Sequence, residues 1–159
     1  MRRELVILRH AKSDWPVGVP DRQRPLAARG RRDAPVAGRW LRAHVPTIDL
    51  VLCSTAKRAR QTYQLARKEL AGKPTVRHEG QLYAASAETL AGVIRNLPRD
   101  AHTVLLIGHN PGLEDLVELL TGQPCTLKTA AVAVLTGSGG WTGIGPGWAK
   151  LATLAKPRG

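Results

Sequence analysis

Three short runs of apolar residues are spaced along the chain, and each has the length of a strand that is buried on both faces of a sheet. They span residues 4–8, 48–53 and 103–108. Polar residues follow each run directly, so each predicted strand ends sharply. The run at 103–108, Thr-Val-Leu-Leu-Ile-Gly, is the clearest strand signal in the sequence.

Apolar residues recur at helical spacing between these runs and predict four helices. The first helix ends near Ala43 and involves Pro35, which lies either in the first turn of a helix capped by Asp33 or at a kink in a longer helix. The other three are predicted from their start and stop residues: Ser54 to Leu70, Ser86 to about Leu97, and Asn110-Pro111 to Gly122.

The remaining segments complete an α/β pattern. Residues 76–83 predict a weak strand or extended segment, and residues 130–135 and 149–154 predict a terminal hairpin around a glycine-rich loop. Strands that alternate with helices favour a mostly parallel sheet covered by helices on both faces. No linker or internal repeat divides the chain, so we expect a single domain over residues 1–159.

Charge narrows the choice of partner. The chain has 24 Lys and Arg against 12 Asp and Glu, and residues 1–70 hold 16 of the basic and 6 of the acidic residues. Such an excess indicates an anionic partner (nucleic acid, a membrane surface or a phosphorylated substrate), or else only an arginine-rich solvated surface. Aromatic residues make up only 4% of the chain, which argues against nucleic acid. No apolar run is long enough to span a membrane, and the two cysteines form no disulfide framework, so we expect a cytoplasmic protein.

The ends of the three predicted strands carry the candidate chemistry. Ligands of parallel sheets bind at the carboxyl edge, so we expect Arg9, His10, residues 54–58 and His109 to line one site. Arg9 and Arg58 have planar guanidinium groups that suit phosphate oxygens, and Arg58 lies in the first turn of its helix. Histidine serves as a nucleophile or as a general acid–base. Each residue taken singly is also explained as a surface group, but together they predict a phosphoryl-transfer site that needs no metal or other cofactor.

Three motifs in this pattern resemble the histidine phosphatase superfamily. They are L-V-I-L-R-H-A-K-S-D-W at 5–15, S-T-A-K-R-A-R-Q-T at 54–62 and G-H-N-P at 108–111. The segments R-P-L-x-x-x-G at 24–30 and Thr-Ala-Ala-Val at 129–132 are similar too. The sequence is most similar to the short branch of that family, the phosphohistidine phosphatases, and the resemblance covers nearly the whole chain in order.

The resemblance implies a fold and a role for each candidate residue. The implied fold is a three-layer α/β/α sandwich with a mostly parallel, mixed six-stranded sheet that has one antiparallel strand, as in phosphoglycerate mutase-like proteins. His10 would be the nucleophile that forms a phosphohistidine intermediate. Arg9 and Arg58 would hold the phosphate, and His109 would donate to a phosphoryl oxygen and stabilise the transition state. The residues by themselves do not rank His10 above His109 as the nucleophile.

Two positions depart from the family pattern. Ala11 stands where relatives commonly have glycine. In larger relatives a mid-chain glutamate protonates the leaving group, whereas the corresponding residue here is Gln81, which cannot supply a proton. Glu79, two residues earlier, is then the candidate general acid.

The uncertain general acid bears on the substrate. Loss of such an acid typically costs about 10²–10⁴ in rate for a substrate that must expel an alkoxide. A phosphohistidine expels an imidazole, whose pKa of ~6.5 makes it a good leaving group. We therefore expect a metal-independent phosphatase that removes phosphate from phosphohistidine on a signalling or phosphotransfer protein. The alternatives are a phosphatase or mutase for a small phosphate ester or nucleotide, and a non-catalytic module that binds anions or nucleic acid.

Other motifs are interpreted as structural. Cys53 precedes Arg58 by one residue too few for a cysteine-phosphatase loop, so we expect a buried strand end. The glycine-rich segment 137–147 lacks the dinucleotide-binding pattern. The basic cluster at residues 29–32 is either a solvated helix face or a surface that steers an acidic protein partner. No zinc-type spacing involves the remaining histidines, which are His44, His78 and His102.

Overall fold

The apolar runs form the centre of a six-stranded sheet in the computed structural model, which describes residues 2–157. The strands are β1 (Arg3–Arg9), β2 (Leu50–Ser54), β3 (Thr75–Glu79), β4 (Thr103–Gly108), β5 (Val132–Gly137) and β6 (Ala149–Ala155). Their order across the sheet is β3-β2-β4-β1-β5-β6. Strand β5 runs antiparallel to both of its neighbours, and the other five strands share one direction. The expected mixed sheet with one antiparallel strand is confirmed, as is the terminal hairpin.

Helices cover both faces of this sheet. They are α1 (Ala28–His44), α2 (Lys57–Ala66), α3 (Ala87–Arg95) and α4 (Gly112–Thr121). Side chains of β1 alternate between the two faces: Leu5 and Ile7 pack in one core cluster with residues of α3 and α4, and Val6 and Leu8 pack in another with residues of α1 and α2. The three-layer α/β/α sandwich is therefore confirmed. Across residues 2–157, no helix combines the length and the apolar character that a membrane crossing requires.

The first helix follows the longer of the two predicted courses. It begins at Ala28 and continues through Pro35, where the ring removes the hydrogen bond that an amide would give to the carbonyl of Arg31. Asp33 does not cap the helix, because it is buried within it, with Oδ2 3.5 Å from Nε of Arg29. The alternative in which Asp33 opens the helix is wrong.

Two predicted N-caps are also wrong, because both side chains have other partners. Ser54 is the last residue of β2 and is fully buried, and the N-cap position of α2 falls on Ala56. Asn110 donates from Nδ2 to the carbonyl of Leu127 at 2.8 Å, and Pro111 occupies the N-cap position of α4. Helix α2 ends at Ala66 and is followed by a 3₁₀ turn (Arg67–Glu69), so it is shorter than predicted.

Two other predicted boundaries, the start of α3 and the end of α4, are confirmed by their capping residues. Ser86 caps α3 by accepting from the amide of Thr89 at 3.2 Å. Gly122 ends α4 in the left-handed conformation, with a φ of 74°. Glycine adopts this conformation without steric cost, which explains why the helix stops there.

Close packing of α1 against α2 depends on Gly38. A Cβ atom added at Gly38 would lie 2.4 Å from the carbonyl oxygen of Ala66, and no side-chain rotation could relieve that contact. We expect Gly38→Ala to lower the free energy of unfolding by about 1–3 kcal/mol. Gly92 in α3 has no atom within 4 Å of its added Cβ, so Gly92→Ala is the matched control and should stabilise the protein by up to about 1 kcal/mol. Urea unfolding measures both, and an unchanged or higher stability of Gly38→Ala would contradict this packing.

Candidate active site

The candidate residues lie at the carboxyl edge of three neighbouring parallel strands. Arg9 ends β1 and is followed by His10, Ser54 ends β2, and His109 follows the last residue of β4. Strand β4 pairs with both β1 and β2, so the three strand ends are side by side. The location expected from the strand pattern matches this arrangement.

The two histidines form a buried pair at this edge. Their ring centroids are 5.1 Å apart with the planes tilted by 55°. His10 is 6% exposed and His109 is 9% exposed. Such burial removes both imidazoles from bulk water and strengthens their response to nearby charges.

The hydrogen bond of His10 determines which of its nitrogens is available. Nδ1 lies 2.8 Å from the backbone carbonyl of Ala11. A carbonyl oxygen only accepts, so Nδ1 carries the proton and donates. In the neutral ring, Nε2 then holds the free lone pair. His10 is thus oriented as a nucleophile or base through Nε2.

His109 is hydrogen-bonded through the opposite ring nitrogen. Its Nε2 lies 2.7 Å from Oγ of Ser54, and that oxygen already accepts from the amide of Ala56 at 3.2 Å. The hydroxyl of Ser54 can therefore donate to His109 Nε2, and in that tautomer Nδ1 carries the proton. Within residues 2–157, this buried Nδ1 has no hydrogen-bond partner. An unpaired buried donor is unfavourable, and an anionic oxygen would satisfy it.

Burial and nearby positive charge keep both imidazole rings neutral. Burial is the main reason that the pKa of His10 is lowered to about 3; the nearby His109, Arg58 and Arg9 act in the same direction, and the hydrogen bond to Ala11 opposes them. Burial is also the main reason that the pKa of His109 is lowered to about 4, with Arg58 and Arg9 acting in the same direction and Asp21 opposing them. The two arginines therefore act on both imidazoles, and their combined field favours an anion at this position.

The guanidinium of Arg58 is fixed by Asp21, which lies in a 3₁₀ turn (Asp21–Gln23) between β1 and α1. Nη1 donates to the backbone carbonyl of Asp21 at 2.7 Å, and Nη2 lies 3.0 Å from Oδ2 of its carboxylate. Arg58 itself is 7% exposed. Arg9 is anchored differently, because its Nη1 donates to the carbonyl of Leu127 at 3.0 Å.

Asp21 and Tyr83 belong to the site although the sequence did not single them out. The hydroxyl of Tyr83 donates to Oδ2 of Asp21, and the Tyr83 ring contacts His109 edge-on with centroids 5.7 Å apart. Hydrogen bonds from Tyr83, Arg24 and Arg58 hold the pKa of the Asp21 carboxyl well below its usual range. The hydrogen bond to Asp21 raises the pKa of Tyr83. In the sequence, the one indication for Asp21 is that it lies three residues before the R-P-L-x-x-x-G segment at 24–30.

The candidate general acid lies at the border of the site. Glu79 is half-buried at the end of β3, in register with Ser54 on β2. Within residues 2–157 its carboxylate forms no hydrogen bond or ion pair. Gln81 is exposed in the next 3₁₀ turn, Gly80–Leu82. The role of Glu79 stays a prediction.

The lowered histidine pKa values predict a specific acid sensitivity of the fold. Between pH 6.5 and about 4, both rings are neutral in the native state and protonated in the unfolded state. The unfolded state then binds more protons, so stability falls as the pH falls through this window, by up to about 1.4 kcal/mol per pH unit for each histidine. The depressed pKa of Asp21 contributes only at lower pH, because its stabilisation is lost below the ordinary range of a carboxyl.

The variant His10→Asn removes one of the two titrating imidazoles and so measures its share of the pH dependence of stability. The asparagine amide can still donate to the carbonyl of Ala11, but it does not titrate. Unfolding in phosphate-free buffer from pH 7 to 4.5 should show a shallower loss of stability for this variant than for wild type. Equal slopes would contradict the neutral, buried state of His10.

Comparisons with known proteins agree with this geometry. Residues 5–92 match the model of the histidine phosphatase superfamily (branch 1). An uncharacterized protein of Mycobacterium tuberculosis is 39% identical over 162 residues, which cover 95% of this chain and 100% of the relative.

Two solved structures share the fold over nearly the full chain. One is a proposed phosphohistidine phosphatase SixA from Nakamurella multipartitia, with a TM-score of 0.88 and 31% identity over 99% of this chain and 97% of that one. The other is a proposed phosphohistidine phosphatase SixA from Agrobacterium tumefaciens, with a TM-score of 0.84 and 28% identity over 98% of both chains. The family model spans more than half of the sequence, and it includes both His10 and Arg58. This chain belongs to the histidine phosphatase superfamily.

Proposed function

We propose that this protein is a phosphatase that transfers the phosphoryl group of a phosphohistidine, carried on another protein, to His10 and then to water. The observation that carries the proposal is the complementary pair of neutral imidazoles. His10 presents a lone pair on Nε2, and the buried Nδ1 of His109, which has no hydrogen-bond partner within residues 2–157, can donate to an oxyanion when Ser54 donates to Nε2. A nucleophile and an oxyanion donor at one position, beside two arginines, suit attack on a phosphoryl group.

The first chemical step forms one bond and breaks one. Nε2 of His10 attacks phosphorus while the substrate ring carries a proton on its other nitrogen; the bond from phosphorus to that ring breaks, and its electron pair stays on the ring, which leaves as neutral imidazole. Arg58, Arg9 and the Nδ1–H of His109 stabilise the charge on the phosphoryl oxygens. The Nδ1–H of His10 continues to donate to Ala11, so the phosphorylated ring keeps its orientation.

The second step regenerates the enzyme. A water oxygen attacks the phosphorus of phospho-His10, the bond between phosphorus and Nε2 breaks, and its electron pair returns to the ring. The protons of the attacking water pass to solvent and to the released phosphate. Every group named in the two steps belongs to the chain, the substrate or water.

The leaving group favours phosphohistidine over phosphate esters. The one glutamate predicted to act as an acid, Glu79, has no hydrogen bond to either histidine within the described residues. An imidazole leaves readily without strong acid assistance, whereas an alkoxide does not. The two structural neighbours proposed to be phosphohistidine phosphatases support the same substrate class.

A comparison of substrates tests the proposal directly. We expect kcat/KM to be at least about 10²-fold higher for a histidine-phosphorylated protein than for glucose 6-phosphate or 3-phosphoglycerate, because those esters need an acid. Phosphate release is measured for each substrate at equal concentration. A preference for either phosphate ester would overturn the proposal.

A small phosphate ester is the second candidate substrate, because Glu79 is in register with Ser54, the residue that holds His109. Its side chain has no other partner within the described residues, which leaves it available to a bound leaving group. Glu79→Gln distinguishes the two candidates. The variant should leave phosphohistidine hydrolysis within about 3-fold of wild type, and a loss of 10²-fold or more would assign Glu79 as the acid and favour ester substrates.

We further propose that the protein acts in the cytoplasm. Cys53 and Cys125 are both free thiols, and Cys53 is buried, which suits a reducing compartment. Burial raises the pKa of the Cys53 thiol to about 12, so it is no nucleophile at neutral pH.

A further inference from the structure

Two exposed apolar side chains lie in one loop beside the site. Trp15 is 72% exposed and Val17 is 101% exposed, and Leu154 on β6 is the one other large apolar residue with comparable exposure between residues 2 and 157. A lone exposed apolar residue needs no explanation, but two in one loop next to a candidate active site form a patch. We call Trp15 and Val17 the loop patch.

Trp15 of the loop patch is connected through Arg24 to the carboxylate that fixes Arg58. The guanidinium of Arg24 lies 3.2 Å from the centroid of the Trp15 ring. Its Nε donates to the carbonyl of Asp14 at 3.0 Å, its Nη1 to Oδ1 of Asp21 at 2.9 Å and its Nη2 to Oγ of Ser13 at 2.6 Å. Arg24 is 6% exposed, so the Trp15 ring stacks on a buried guanidinium group that is held in place.

The other oxygen of the same carboxylate lies 3.0 Å from Nη2 of Arg58. One aspartate therefore sets the position of Arg58 and, through Arg24, of Trp15. A partner that covers Trp15 therefore contacts a side chain whose position relative to the phosphate-binding Arg58 is fixed. This arrangement suits rigid docking of a folded surface around the phosphorylated residue.

A basic groove borders the site at Arg9. Four cationic side chains line it, together with one carboxylate; they are Arg9, Lys12, Arg29 and Lys128, with Glu114. Glu114 already accepts from the amide of Leu127 at 2.7 Å, so its charge is partly committed to the backbone. The groove is thus positively charged, and it includes the first arginine of the 29–32 cluster. Such a groove attracts acidic side chains.

We propose that the loop patch and the basic groove together dock the substrate protein, and that this protein presents an acidic surface with an apolar spot near its phosphohistidine. The inference rests on the proposed function, because it names the partner for that same site. The segment 12–17 connects the two surfaces, with Lys12 in the groove and Trp15 and Val17 in the patch. Apolar contact would supply affinity, and the groove would supply the rate and orientation of encounter.

The experiment separates docking from chemistry by using two substrates. They are a histidine-phosphorylated acidic protein and free phosphohistidine, which is too small to reach the patch. Trp15→Ser should raise KM for the acidic protein about 10- to 30-fold with kcat nearly unchanged. Val17→Glu, which replaces a fully exposed side chain, should also raise KM for the acidic protein and leave hydrolysis of free phosphohistidine within about 2-fold of wild type.

Charge reversal tests the groove in the same assay. Lys128→Glu should lower kcat/KM for the acidic protein. It should also make kcat/KM fall less steeply as the salt concentration is raised from about 50 to 300 mM. The matched controls are Leu154→Ser and Lys150→Glu on β6, which should change neither substrate. A histidine-phosphorylated basic protein of similar size should show little effect of either loop substitution.

The possible outcomes are distinct. If Trp15→Ser, Val17→Glu and Lys128→Glu all leave KM for the acidic protein at the wild-type value, the docking surface is wrong. If wild type hydrolyses neither the histidine-phosphorylated proteins nor free phosphohistidine, the proposed function fails first. A concentration-dependent dimer that Val17→Glu dissolves would assign the patch to self-association and overturn the proposal.

Discussion

Replacing His10 by alanine is expected to lower turnover of a histidine-phosphorylated protein by at least about 10³-fold and to leave no phosphate attached to the enzyme. The physical reason is that Nε2 of His10 carries the free lone pair in the buried imidazole pair, because Nδ1 is committed to the carbonyl of Ala11. Rapid acid quench with a labelled phosphodonor is the measurement. Wild type should carry a label that is labile in acid and stable in base, as phosphohistidine is.

Two variants make the result specific. His78→Ala removes an exposed histidine from β3 and should keep both turnover and label. His109→Ala should slow label formation without moving the attachment point, since His109 would lose only its donor to the phosphoryl oxygen. Loss of the label in His109→Ala together with its persistence in His10→Ala would reverse the roles of the two histidines.

Replacing Arg58 by alanine is expected to lower kcat/KM by about 10²–10³-fold, because the transition state loses a buried, preoriented cation. Arg58→Lys keeps the charge but cannot reproduce the two parallel donors, so it should recover only part of this loss. Arg67→Ala, an exposed arginine in the turn after α2, is the control for net charge. Equal activity of Arg58→Ala and the control would remove Arg58 from the phosphate site.

Asp21→Asn tests how Arg58 is positioned. The amide keeps the shape of the side chain but removes its charge, so Nη2 of Arg58 loses an ionic partner at 3.0 Å. We expect a smaller effect than for Arg58→Ala, about 10-fold in kcat/KM. A stabilising effect on phosphate binding would show instead that Asp21 competes with phosphate for the guanidinium. Steady-state kinetics with free phosphohistidine, which bypasses docking, measures this.

The fold was predictable because burial on both faces leaves a strong trace in the sequence. Strand β4 was predicted to the residue, and α3 and the end of α4 followed from a serine cap and a glycine stop. The two wrong N-caps, Ser54 and Asn110, are polar side chains whose partners are distant in sequence. Ser54 looked like a local cap, but its hydroxyl meets His109, 55 positions away. The single-domain interpretation stays a prediction.

The candidate site also contains residues that the sequence predicted and residues that it did not. His10, His109, Arg9 and Arg58 could be named because each follows a predicted strand or starts a helix, and the structure gathers them at one edge. Asp21 and Tyr83 could not be named, since Asp21 lies in a polar loop and Tyr83 follows a weak edge strand. Their function depends on contacts across 62 and 37 positions of the chain, to each other and to Arg58.

The sequence by itself determined the layer architecture, the edge of the sheet that carries the chemistry and the four side chains that meet there, because hydrophobic periodicity and strand ends are local properties of the chain. Only the tertiary structure decided which nitrogen of each histidine is available, how Arg58 is held and where the loop patch lies. Those properties arise from hydrogen bonds and burial between distant segments, and no local pattern encodes such pairings.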